Sequence, residues 1–124
     1  MTIYINSKNR REIDLEVIVW AIFSSNRSAT DKKQILDNQL KHFANEIDKE
    51  ISKEKEFYNS NRRDLKHSEH VYNVNKKMFK TASLVWYISI YKHNINISKK
   101  KLDELSKEKE HIKTVISNLK EMIR

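Results

Sequence analysis

The chain contains no glycine, no proline and no cysteine. Glycine supplies positive-φ turns, tight bends and phosphate-cradling loops. Its absence excludes a dinucleotide fingerprint, a phosphate-binding loop and a nucleophile elbow. The absence of cysteine excludes a disulfide framework, a thiolate nucleophile and a zinc knuckle. It fits a reducing compartment, and a cytoplasmic location is expected. Twelve asparagines stand in for glycine at turns, because Asn tolerates the left-handed region.

Long apolar runs are also missing. The two most apolar stretches, Val17 to Phe23 and Ala82 to Tyr91, are about half of what a bilayer crossing needs. Each reads as a buried core segment. The first residues, Met1 to Asn6, lack the charged start, apolar stretch and cleavage site of a signal peptide. With 124 residues the chain is one domain or one helical unit. Its 38% hydrophobic and 34% charged residues suit long solvated helices better than a compact globule.

What is present is a seven-residue repeat. Tyr58, Leu65, Tyr72, Phe79 and Trp86 stand seven apart, with Ile51 one heptad earlier and Val71, Met78 and Val85 beside them. Seven residues are nearly two helical turns, so these rows line one side of a helix. Before them, Leu36, Leu40, Phe43 and Ile47 step by four, three and four. Ser28 and Asp31 resemble a capping box at the start of that helix. After them, Leu102, Leu105, Ile112, Ile116, Leu119 and Ile123 follow a three-four repeat that only Lys109 interrupts. Such a narrow stripe is a coiled-coil seam.

Three segments admit two readings. Residues 1 to 6 are β-prone and form a strand, an arm or a disordered start. From Arg11 to Ser24, the alternation of Ile13, Leu15, Val17 and Val19 suits a strand, while Ile18, Trp20, Ile22 and Phe23 suit a buried helix. Helix is favoured, because no later segment offers a clear sheet partner. Asn59-Ser60-Asn61 has poor helix propensity, yet the heptad row passes through it in phase. Either the chain breaks near Ser60, which is preferred, or one helix runs from about Asp31 to about Tyr91. Asn94-Ile95-Asn96-Ile97 reads as a loop by composition, with Ser98 capping the last helix.

The resulting expectation is an all-α, elongated bundle of three to four helices with a C-terminal antiparallel coiled-coil hairpin. It is a single domain, with an N-terminal segment and buried helix at 1–29, a helix at 30–60, a basic helix at 61–93 and a coiled-coil helix at 98–124. A long helix needs a partner along its length, and a second copy could supply one, so the chain is read as dimeric.

Charge carries the functional content. The formal net charge is +8. Residues 61 to 101 hold ten basic side chains against Asp64 and Glu69, so this segment alone carries +8. Arg62, Arg63 and Lys66 recur fourteen residues later as Lys76, Lys77 and Lys80, on one face and roughly 21 Å apart along a helix. Lys99, Lys100 and Lys101 form a third cluster at the expected start of the last helix, where cations oppose the macrodipole. Such a face suits a phosphate backbone or an acidic protein surface. The bland alternative is ordinary solubility charge. No glycine-turn helix-turn-helix, zinc-ligand set or aromatic RNA-binding signature is present.

Other chemistry is weakly supported. His67 and His70 share a helix face, but a working metal site wants a third or fourth ligand. A di-iron bundle needs paired Glu-x-x-His motifs, and the sequence has a single one, Glu108 to His111. The carboxylates are mostly interleaved with lysines, away from any desolvated pocket of the kind catalysis needs. Trp20, Tyr72, Trp86, Tyr87 and Tyr91 read as core by their helical spacing. Tyr87 and Tyr91 lie on a different side from Trp86; with Trp86 inside, that pair is exposed and suits an interface hot spot.

In length, helical build and want of a catalytic motif the chain resembles small immunity, anti-toxin and phage-encoded inhibitor proteins. That likeness is of type and not of matched residues. The sequence thus points to a non-enzymatic protein without cofactor, metal or membrane partner. It would occupy an acidic surface of a protein or nucleoprotein and inhibit or regulate it. The expected contacts are the three basic clusters together with Tyr87 and Tyr91. Nonspecific nucleic-acid binding is the rival, and a purely scaffolding coiled coil the third reading.

Overall fold

A computed structural model describes the backbone of residues 7–75 and 81–123, with side chains over 11–74 and 82–123. Among the described residues there are three helices and no strand: α1 (Ser7–Phe23), α2 (Ala29–Asn75) and α3 (Thr81–Met122). The β-prone start at 1 to 6 lies outside the described residues. None of the described helices is long and apolar enough to cross a membrane.

Local chemistry sets the ends. α1 closes where the Ser24 and Ser25 amides donate to the Trp20 and Ile22 carbonyls and the Ser25 hydroxyl also donates to Ile22. These bonds occupy carbonyls that a helix end otherwise leaves open. α2 opens on Ser28, whose Oγ accepts the Asp31 amide at 3.2 Å. This is the cap expected from the Ser-x-x-Asp pattern, with a carboxylate in the first turn to complement the dipole.

The chain divides into two compact units, Met1–Asp48 with Ser106–Arg124, and Lys49–Leu105. The first unit has an apolar core of Leu15 and Ile22 from α1, Leu36, Phe43 and Ile47 from α2, Ile112 and Ile116 from α3, and Ile123 just after it. Each such side chain contributes about 1.5–3 kcal/mol on burial. Here α2 and α3 run antiparallel: Lys120 donates to Asp37 at 2.7 Å and Lys109 to Asp48 at 2.8 Å. Lys109, the residue that interrupts the seam, is half-buried. Its stem follows the apolar stripe while its ammonium reaches out to a carboxylate.

A buried charge pair completes this unit. Arg11 of α1 donates through Nε to Glu108 of α3 at 2.5 Å, and both side chains are almost wholly enclosed. Glu46 of α2 lies 3.7 Å from the same guanidinium. A buried charge needs such partners.

The second unit has a different interior. Ile95 is its one fully buried apolar side chain among the described residues, beside buried Asn61, Ser68 and Ser98. On α2, Glu54, Asn61 and Ser68 stand seven apart next to the half-buried row Ile51, Tyr58, Leu65 and Tyr72. Glu54 and Asn61 of this row are satisfied across the pair. Ser98 Oγ donates to Glu54 at 2.7 Å, and Asn94 Nδ2 donates to Asn61 Oδ1 at 3.0 Å. Asn61 Nδ2 in turn donates to its own helix at the Phe57 carbonyl, 2.7 Å away.

Several expectations are corrected by this arrangement. α2 runs unbroken through Asn59-Ser60-Asn61, because the Asn61 side chain is paired within the helix and across it. The expected loop at 94–97 is helical, inside α3. Asn94 and Ser98 are interhelical partners there, and neither breaks or caps a helix. Low propensity costs at most about 0.7 kcal/mol per residue, less than leaving a buried amide unpaired. Trp86, expected inside, is 60% exposed. The row from Tyr58 belongs to α2, which ends at Asn75, and α3 starts a new phase at Thr81. Met78 and Phe79 lie outside the described residues. The two apolar runs are not wholly buried segments either: Val17, Trp20 and Phe23 on α1, and Val85 and Tyr87 on α3, are exposed.

Candidate functional site

The expected contact residues fall mainly in the second unit. Arg62, Arg63 and Lys66 are all exposed on one stretch of α2. Their position follows from burial of Asn61 and Ser68 and half-burial of Leu65 on the other side, since residues one or two steps off a seam point away from it. Arg62 lies over the Tyr58 ring, 5.6 Å from its centre, which holds the guanidinium along the helix surface.

Lys99, Lys100 and Lys101 are exposed as well. They sit in the middle of α3 and not at a helix start, so the dipole argument does not apply to them. Between buried Ser98 and half-buried Leu102, three consecutive residues necessarily project outward. Lys76, Lys77 and Lys80, the second triad, lie outside the described residues.

The two units use their cations differently. In the first, Arg11, Lys109 and Lys120 each bind a carboxylate on another helix. In the second, none of Arg63, Lys66, Lys99, Lys100 and Lys101 is paired with a carboxylate among the described residues. Unpaired surface cations keep their full field for a ligand. Over Lys49–Leu105 the sequence has thirteen Lys and Arg against seven Asp and Glu, a net +6 of the chain's +8.

Of the aromatic candidates, Tyr87 is exposed and Tyr91 half-buried. Their rings are nearly parallel at 6.3 Å, and Trp86 meets Tyr87 edge-on at 5.0 Å. Trp86, Tyr87 and Tyr91 therefore form one aromatic group at the start of α3. Nearby, an open cleft of about 370 Å³ is lined by Glu69, Tyr72 and Asn73 of α2 and Val85, Ile88 and Lys92 of α3. Sequence reasoning missed this cleft, because its two walls come from helices whose pairing register was not visible.

His67 and His70 are exposed, as are His42, His93 and His111. Among the described residues no group of three or more His, Cys, Asp or Glu is placed to hold a metal ion. The arrangement as a whole offers cationic donors, hydrogen-bonding amides and aromatic faces on solvated helices. Compared with known protein families, curated proteins and solved structures, the chain finds no match in any of the three.

Proposed function

We propose that this chain is a non-enzymatic interaction protein whose basic face occupies an acidic surface of a larger protein or nucleoprotein and thereby inhibits or regulates it. One observation carries the reading. Among the described residues, Arg63, Lys66, Lys99, Lys100 and Lys101 of the second unit are exposed and in no ion pair, whereas Arg11, Lys109 and Lys120 of the first unit join its helices. The aromatic group at Trp86, Tyr87 and Tyr91 supplies what a charged rim lacks, since interface hot spots are enriched in Trp, Tyr and Arg.

The same proposal takes the C-terminal half as an antiparallel coiled-coil hairpin. Support comes from the three-four repeat Leu84, Ile88, Tyr91, Ile95, Ser98, Leu102 and Leu105, carried on by Lys109, Ile112, Ile116, Leu119 and Ile123. A hairpin gives the basic face a rigid backing, so binding orders side chains and not the backbone.

The test is a charge reversal, Arg62→Glu with Arg63→Glu and Lys66→Glu. Partners are captured from nuclease-treated extract by wild-type and reversed protein. A protein retained by the first and lost by the second supports the reading, provided both have the same helix content. Equal retention by both sinks it. Direct binding of nucleic acid is the second reading, favoured by the same exposed clusters. Excess unrelated duplex would displace a nucleic-acid ligand but not a specific protein.

A further inference from the structure

A helix that is apolar all round is normally a buried helix. Over residues 17–23 α1 is such a helix, yet it is covered on one side only. Its inner side places Arg11, Leu15 and Ile22 in the first unit. Its outer side carries Ile13, Val17 and Trp20 at steps of four and three, the last two 62% and 73% exposed, with Phe23 following. Met122 near the end of α3 is exposed too. A solvated helix would carry polar residues there.

Beside this stripe lies a cleft of about 370 Å³ between α1 and α3. Its walls are Leu15, Val19 and Trp20 on one side and Val115 and Leu119 on the other, with Glu16 as the polar member. An apolar cavity of about 150 Å³ holds a benzene ring, so this one has room for an indole. The surface thus has a projecting indole and, next to it, a recess that fits one. A patch that carries both knob and hole is self-complementary under a two-fold axis.

We propose that a second copy of this chain covers the outer face of α1, each Trp20 seating in the other copy's cleft between α1 and α3. Two further observations select a second copy over a foreign partner. The first is charge. The unit that holds α1 has twelve Lys and Arg against ten Asp and Glu, so two copies meet here with little repulsion; the other unit, at +6, would resist self-contact. The second is area. The exposed parts of Ile13, Val17, Trp20, Phe23 and Met122 come to roughly 600 Å² per copy, so two copies bury up to about 1,200 Å², which reaches the lower bound of a stable specific interface. The dimer uses a surface different from the basic face, so either proposal survives failure of the other.

The experiment is sedimentation equilibrium of the full chain over micromolar concentrations. Wild type is expected to be a reversible dimer, and Trp20→Glu to weaken it by at least about 30-fold, as for a central hot spot. Trp86→Glu, at another exposed indole, in the other unit, should leave dimerisation within about two-fold. A wild-type monomer throughout, or a dimer indifferent to Trp20→Glu, would overturn the proposal. If Trp20→Glu disturbs folding, Val17→Cys provides a second reading. The chain has no other cysteine, so mild oxidation should link two copies through residue 17, and failure to link them counts against the interface.

Discussion

Breaking the Arg11–Glu108 pair should destabilise the protein far more than any surface substitution. Both partners are nearly fully enclosed and lie 97 residues apart in sequence. Glu108→Gln keeps the shape and an acceptor oxygen but removes the charge. Glu46, 3.7 Å away and half exposed, still faces Arg11. Removing one member of a buried pair costs about 3–5 kcal/mol, and the residual Glu46 contact places the loss near the lower end, about 3 kcal/mol. For a chain of this size that is a fall of roughly 10 °C in Tm. Urea unfolding followed by helix dichroism reads it directly as a change in midpoint. The double replacement Arg11→Met with Glu108→Leu should return stability to within about 1 kcal/mol of wild type or above it, because no lone charge is left buried. With the singles Arg11→Met and Glu108→Leu measured beside that double, the coupling energy of the cycle is the decisive quantity. A Glu108→Gln loss below about 0.5 kcal/mol, or additive single and double effects, would refute the pair as a linked buried unit.

Other consequences are smaller or of different kind. Asn94→Ala strands the Asn61 Oδ1 inside the second unit and should cost about 1–2 kcal/mol despite alanine's better helix propensity; a stabilised variant would contradict the pairing. Ile116→Ala, at a site with no exposure, should cost about 2–5 kcal/mol in urea unfolding. Trp86→Ala, at an exposed site, should change stability by less than about 0.5 kcal/mol; a core-sized loss there would restore the heptad reading that put it inside. Ser28→Ala should cost about 1 kcal/mol through loss of the α2 cap.

Periodicity was a better guide than composition. Leu36, Phe43 and Ile47, and Ile112 and Ile116, are buried where their spacing placed them, and Ser28 caps the helix it was read to cap. Asn94 to Ile97 read as a loop because Asn is a turn residue. Yet the three-four repeat runs back from Leu102 through Ser98, Ile95, Tyr91 and Ile88 to Leu84 without a phase error. That repeat was the available signal for a continuous α3. Trp86 shows the converse error. A seven-step row can extend by chance past a helix end, and nothing local marks the change of phase. The Arg11–Glu108 pair was illegible in principle, since neither residue differs from the many surface charges around it until the fold brings them together. Among the candidate contacts, outward placement of Arg62, Arg63 and Lys66 followed from the burial of their neighbours. The middle-of-helix setting of Lys99 to Lys101 did not, because it depended on the missed continuity.

We propose that the basic face recognises an acidic protein surface and not nucleic acid in general. The decisive measurement is fluorescence anisotropy of labelled duplex and single strands, titrated with the protein at two salt concentrations. No saturable binding is expected at micromolar protein near physiological salt. Binding at micromolar or tighter affinity, falling steeply as salt rises and lost on reversal of Arg62, Arg63 and Lys66, would contradict it and make the face a phosphate reader.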